Sequence, residues 1–131
     1  MRRIVVVAGA ILDDQGRVLI AERPAGKHLA GGWEFPGGKL AEGESDADAL
    51  QRELREELGI EVTAQQPFMV VEHDYSDRKV ELRLRIVRGY AGEPRGLDGQ
   101  RLRWVEIQRL TADDLLEADR PFIAALQRLR N

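Results

Sequence analysis

The sequence predicts an α+β domain in which a mixed β-sheet is sandwiched between α-helices. Three observations carry that prediction. The elements alternate as strands, helix, strands, helix. Val80-Glu81-Leu82-Arg83-Leu84-Arg85-Ile86 alternates with the period of a strand that has one wet face. An amphipathic stretch before Gly59 repeats with the period of a helix. The 131 residues suit one domain spanning 1–131. The absence of Cys excludes disulfide frameworks, zinc–thiolate sites and thiol nucleophiles. Twenty basic against 23 acidic residues give a charge of −3, without the basic excess of a duplex-binding protein. The composition, 33% charged and 43% hydrophobic, is that of a soluble globular chain.

The first element is the β-branched apolar run Ile4–Leu12, read as a buried strand. It is too short to cross a bilayer. Arg2 and Arg3 before it raise a signal peptide, but Asp13-Asp14 ends the run and no small-residue cleavage site follows. The expectation is a cytoplasmic monomer, with neither membrane nor nucleic-acid polymer as partner. Asp13–Gly16 reads as a turn and Arg17–Arg23 as the returning strand of a hairpin. Pro24–Glu44 holds six of the thirteen glycines and reads as loop. A helix follows to Leu58, with Ser45 as N-cap, Asp46 and Asp48 in its first turn, and Gly59 as C-cap. Ala47, Leu50, Leu54 and Leu58 form its expected apolar stripe. Strands are predicted at Phe68–Glu72, Lys79–Tyr90 and Leu102–Val105. A last helix at Asp119–Arg130 carries Phe122, Ile123, Leu126 and Leu129 on one side, with Pro121 in its first turn.

The chemistry concentrates on the first helix. Glu53, Glu56 and Glu57 stand at i, i+3 and i+4, so they share one face and their carboxylates are expected to converge. Like charges so placed need neutralising, either by solvent and arginine partners or by a hard divalent cation. The upstream context decides. Gly38, Glu44, Arg52, Glu53, Glu56, Glu57 and Gly59 complete the pattern G-x5-E-x7-R-E-U-x-E-E-x-G-U, with Leu54 and Ile60 as the aliphatic positions U. Seven fixed positions, each with about one chance in fifteen, coincide by accident on the order of once in a hundred million. Other glycine-rich phosphate motifs are absent. Glycines let the loop backbone approach an ion and phosphates, a carbonyl near Gly37 can join the ligands, and Glu44 can brace the loop against the helix through Arg52.

This pattern, spanning 38–60, is the Nudix box, and the chain resembles MutT-type Nudix proteins over nearly its whole length. Glu34-Phe35-Pro36-Gly37-Gly38-Lys39, Gly92-Glu93-Pro94, Gly99-Gln100 and Ala112-Asp113-Asp114 all look alike. The resemblance implies the Nudix fold and Mg²⁺-dependent hydrolysis of a nucleoside triphosphate, with Mn²⁺ able to substitute. Water attacks the β-phosphorus, giving the monophosphate and pyrophosphate. It implies Gly37 (through its carbonyl), Glu53, Glu56, Glu57 and Asp98 as metal ligands. Glu53, Glu56, Glu57, Asp98, Arg52 and Glu44 form the catalytic set, with the base either Glu53 or Asp98. MutT proteins carry a glutamate where this chain has the shorter Asp98.

The substrate residues implied are Arg23, Phe35, Gly38, Lys39, Tyr75, Arg78 and Asp119. MutT proteins selecting 8-oxoguanine have asparagine where Asp119 stands; a carboxylate only accepts hydrogen bonds unless protonated. Asp119 therefore leaves the base open: the resemblance implies 8-oxo-dGTP or a related oxidised purine nucleotide as substrate, with CTP or a modified dCTP as alternative, since relatives with aspartate here act on such pyrimidine nucleotides, and a non-catalytic nucleotide-binding module as a remote one. Asp119 can also be read as an N-cap before Pro121. His28 and His73 read as structural, Trp33 as a roof over the pocket, and Trp104 as sheet packing.

Overall fold

A computed structural model describes residues 2–129. Strand β1 (Arg2–Ile11) lies at the centre of the molecule. Its alternate residues face two different cores. Val7 and Ile11 pack with Leu19 and Val87 against helix α1 (Asp46–Leu58). Ala8, Ala10 and Leu12 pack with Val18, Leu84 and Ile86 beneath helix α2 (Phe122–Gln127), whose Phe122 and Leu126 are buried. A strand covered on both faces must be apolar at nearly every position, which explains the continuous run.

The sandwich is as the sequence predicts, but the first two strands do not form the expected hairpin. β1 joins a four-stranded mixed sheet ordered β4-β1-β6-β5, comprising β4 (Gly37–Lys39), β5 (Glu61–Asp74) and β6 (Arg78–Ala91). Its partner β6 runs parallel to it, from Arg2↔Arg78 to Ile11↔Val87. β2 (Arg17–Glu22) joins a separate antiparallel sheet ordered β3-β2-β7, with β3 (Trp33–Glu34) and β7 (Leu102–Glu106). One bridge, Leu12↔Val18, links the two at the turn. The apolar pattern could not reveal this separation, because both strands bury both faces in either arrangement.

Helix α1 starts where Ser45 Oγ accepts from the Asp48 N–H (3.1 Å) and ends on left-handed Gly59 (φ 70°). Ala49, Leu50, Leu54 and Leu58 are its buried residues; Ala49 takes the place expected for Ala47, which is half-buried. β5 starts seven residues before the predicted strand, through polar sequence and with bulges between Val62 and Met69. The second face of β6 is only partly wet. Glu81 is buried there, paired with Arg3 and Arg83, and Arg83 reaches Asp46 (2.7 Å). The C-terminal segment splits into 3-10 turns, including Glu117–Asp119, before the short α2; Arg130 lies outside the described residues.

Candidate active site

The cleft is the open end of the core under α2. Ile4, Val6 and Ala8 of β1, with Val80 and Leu82 of β6, supply its apolar wall, and α2 covers only the residues further along. Its volume is about 580 Å³, within the range of small-molecule sites. The segment Glu34–Lys39 lines it throughout.

Glu53, Glu57 and Asp98 lie at one end. β4 pairs with β1 so closely that a Cβ on Gly37 would come within 2.1 Å of the Val7 carbonyl oxygen. A Cβ on Gly38 would come within 2.3 Å of the Glu53 carboxylate, so only glycine lets that carboxylate rest on the loop backbone. Arg52 ties helix to loop. Its guanidinium donates twice to Glu44 (2.8 and 2.9 Å), to Glu53 Oε1 (2.8 Å) and to the Lys39 carbonyl (3.2 Å), while Glu44 accepts from the Ala41 N–H (3.0 Å). Neither Glu44 nor Arg52 lines the cleft. Both act as a brace that fixes Glu53.

The three helix glutamates do not converge as expected. Glu56 has a side chain 59% exposed, near Arg52 (3.5 Å) and outside the cleft lining. Glu57 is hydrogen-bonded by the Gly37 N–H. Among the described residues no three acidic or histidine side chains enclose a metal position. Arg52 holds Glu53 (2.8 Å) and lies 3.5 Å from Glu56, and Glu53 stays near enough to Glu57 for its charge to act there. The loop carrying Asp98 docks on the end of α1. The Leu97 N–H donates to the Glu57 carbonyl (3.1 Å), and Gln100 accepts from the Asp98 N–H (2.9 Å) while donating to the Glu57 carbonyl (3.3 Å). Burial, then the charges of Glu53, Glu34 and Asp98, push the Glu57 carboxyl up to about 8. Carboxylates that destabilise one another in this way form a hard oxygen donor set that fits a divalent cation.

The other end holds Asp119, Tyr75 and Arg78. Asp119 is 6% exposed and caps no helix. Its Oδ2 accepts from the Phe35 N–H (2.9 Å), and Pro121 occupies the N-cap of α2. Burial first, and the Glu34 charge second, push Asp119 up to about 8. The Arg78 guanidinium lies over the Tyr75 ring (5.1 Å), and its Nε is buried without a hydrogen-bond partner. His28 and His73 both meet Tyr75 edge-on (5.5 and 4.7 Å). Phe35 lines the cleft but is 3% exposed, its ring edge-on to Phe122 in the core. Lys39 stands at the rim. Trp33 is no roof: it lies outside the cleft lining, beneath the guanidiniums of Arg103 (4.3 Å) and Arg101 (5.5 Å). Trp104 packs against the core under α1.

Glu34 is the residue that sequence reasoning passed over. It lines the cleft, and Arg23 Nη1 donates to its Oε1 (2.9 Å), while Arg23 Nε donates to the His28 carbonyl (2.6 Å). Burial raises its carboxyl despite Arg23. Its only sequence signal is an acid between two aromatics in a short strand.

A family model described as NUDIX domain matches residues 7–125. The chain belongs to the Nudix family. It is similar to the 8-oxo-dGTP diphosphatase of Escherichia coli K12, with 37% identity over 129 residues covering 98% of this chain and 100% of that one. It is also similar to the CTP pyrophosphohydrolase of the same organism, with 39% identity over 130 residues covering 99% and 96%. Among solved structures, a MutT chain from work on Aliivibrio salmonicida and Vibrio cholerae superposes with a TM-score of 0.81 at 39% identity, covering 96% of this chain and 98% of that one. The chain is thus a Nudix hydrolase of the MutT-like kind. No helix among its described residues is long and apolar enough to cross a membrane.

Proposed function

We propose that this Nudix hydrolase is a metal-dependent nucleoside triphosphate pyrophosphohydrolase that prefers 8-oxo-dGTP or a related oxidised purine nucleotide. The observation that carries the reading is the polarity of the cleft. Oxygen donors gather at one end, where metal and phosphates fit, and Asp119, Tyr75 and Arg78 gather at the other, where a base fits. Glu53, Glu57, Asp98 and the Gly37 carbonyl would hold the metal, and Glu56 would join them only by turning from Arg52 towards the cleft. When bound, a divalent ion neutralises phosphate charge and makes water more acidic. Water adds to the β-phosphorus, the bond to the oxygen bridging to the α-phosphorus breaks, and nucleoside monophosphate and pyrophosphate leave. Glu53, braced by Arg52 and Gly38, accepts the proton of that water. Lys39 and Arg23 offset phosphate charge at the rim.

Asp119 reads the base. Its burial keeps it protonated at neutral pH, so it both donates and accepts, as an asparagine amide does. The likeness to a CTP pyrophosphohydrolase favours a second reading, because a neutral acid also donates to cytosine's ring acceptors. Comparing kcat/KM for 8-oxo-dGTP, dGTP, CTP and dCTP with Mg²⁺ separates them. The expected result is a clear preference for 8-oxo-dGTP, kept in Asp119→Asn. A far higher kcat/KM for CTP rejects the purine reading.

A further inference from the structure

The loop that carries Asp98 is fastened to the end of α1 by its backbone and by one side chain. An α-helix leaves its last carbonyls without partners inside the helix. Here the loop supplies them. The Arg95 N–H donates to the Leu58 carbonyl (3.0 Å), and the Leu97 N–H donates to the Glu57 carbonyl (3.1 Å). Gln100 adds a second donor to that same Glu57 carbonyl through its Nε2 (3.3 Å), and its Oε1 accepts from the Asp98 N–H (2.9 Å). One amide thus ties the backbone of Asp98 to the backbone of Glu57. An amide both donates and accepts, so an apolar residue of the same size makes neither bond.

Gln100 works from a fixed base. Its neighbour Arg101 is tied to β2: the Arg101 carbonyl accepts from the Glu22 N–H (3.0 Å), and the Arg101 guanidinium donates to the Glu22 carboxylate (2.6 Å). The loop also folds back on Gln100. The Gly99 N–H donates to the Gly96 carbonyl (3.0 Å), and Gly96 passes so near the Gln100 carbonyl oxygen that a Cβ there would collide with it. Asp98, by contrast, is exposed, so packing does not hold its side chain. An aspartate has only two side-chain torsions. Where its backbone sits therefore decides how far its oxygens reach into the cleft that Asp98 and Glu57 both line.

We propose that Gln100 is a positioning residue that sets the reach of Asp98 towards the cation it would share with Glu57. The assignment rests on the metal-dependent reading above and deepens it with a residue that acts through its neighbour's backbone. Partners placed one step out from a metal typically contribute about 10–100-fold in metal affinity or activity.

The test is Mn²⁺ binding without nucleotide, followed by the EPR signal of the free ion, in the native protein, Gln100→Leu, Asp98→Asn and the double variant. Gln100→Leu and Asp98→Asn should each weaken Mn²⁺ binding about 10-fold or more. The double variant should bind no more weakly than Asp98→Asn alone, because Gln100 acts through Asp98. Unchanged affinity in Gln100→Leu overturns the assignment. So does a double variant in which the two losses multiply, since a merely structural loss would not depend on Asp98. Amide hydrogen exchange of the native protein supplies a check that needs no variant: the Asp98 N–H should exchange more slowly than in the unfolded chain, and exchange at the unfolded rate overturns the tie. Native binding of Mn²⁺ that Asp98→Asn leaves unchanged overturns this assignment alone. If the native protein binds no Mn²⁺ and hydrolyses no nucleoside triphosphate with Mg²⁺, the metal-dependent reading itself fails, and this assignment falls with it.

Discussion

At the scale of single residues, Asp119 shows how burial changes what a side chain does. Its ordinary pKa is 3.8, and in the folded cleft it is pushed up to about 8. The folded chain therefore holds a proton that the unfolded chain has already released between about pH 4 and pH 8. Across that window the unfolded state binds fewer protons, so this residue's contribution to stability falls as pH rises and levels off above about 8. Asp119→Asn keeps an acceptor for the Phe35 N–H and has no proton to lose. Thermal unfolding should find the variant's Tm advantage over the native protein small at pH 5 and clearly larger at pH 9. An advantage that does not change with pH would mean that Asp119 is not buried as a neutral acid.

At the scale of elements, two adjacent glycines separate folding from chemistry. A methyl on Gly37 meets the backbone of β1, with Val7 O at 2.1 Å and Ala8 Cα at 2.6 Å, and backbone cannot move aside cheaply. Gly37→Ala should cost about 1–3 kcal/mol of stability, read by urea unfolding. A methyl on Gly38 meets the tip of Glu53, the far end of a side chain, which can turn aside by giving up its bond to Arg52 at less cost than moving backbone. Gly38→Ala should therefore keep its Tm within a degree or two and yet lose about 100-fold in kcat, since misplacing a reacting group by about 1 Å costs that much. Capping is a smaller, purely structural effect. Ser45→Ala removes the acceptor for the Asp48 N–H and should cost about 1 kcal/mol with kcat unchanged. Local rules made α1 legible in the sequence, cap to cap, because its signals sit within its own residues. The bulged first half of β5 and the shortening of α2 were not legible. There polar strand positions pair with β6, and the approach to the cleft breaks the last helix into 3-10 turns.

At the scale of the whole molecule, two sheets and two cores meet along β1, and the cleft opens where α2 leaves the second core uncovered. The α+β sandwich and the residues of the Nudix box could be read from the sequence, because periodicity and spacing are properties of the chain itself. The separation of β1 from β2 could not, since strands buried on both faces carry no record of which neighbour they pair with. The same holds for Glu34, which meets Arg23 only when β3 pairs with β2. The central claim is that the carboxylate end of this cleft directs cleavage between the α- and β-phosphates. ³¹P NMR of the products formed from 8-oxo-dGTP, with Mg²⁺ and with chelator, in the native protein and Glu53→Gln, tests it most directly. The predicted result is nucleoside monophosphate and pyrophosphate from the native protein with Mg²⁺ alone. Glu53→Gln should still bind nucleotide but turn over at least about 100-fold more slowly. Release of inorganic phosphate and a nucleoside diphosphate, or full activity in Glu53→Gln, would contradict the account.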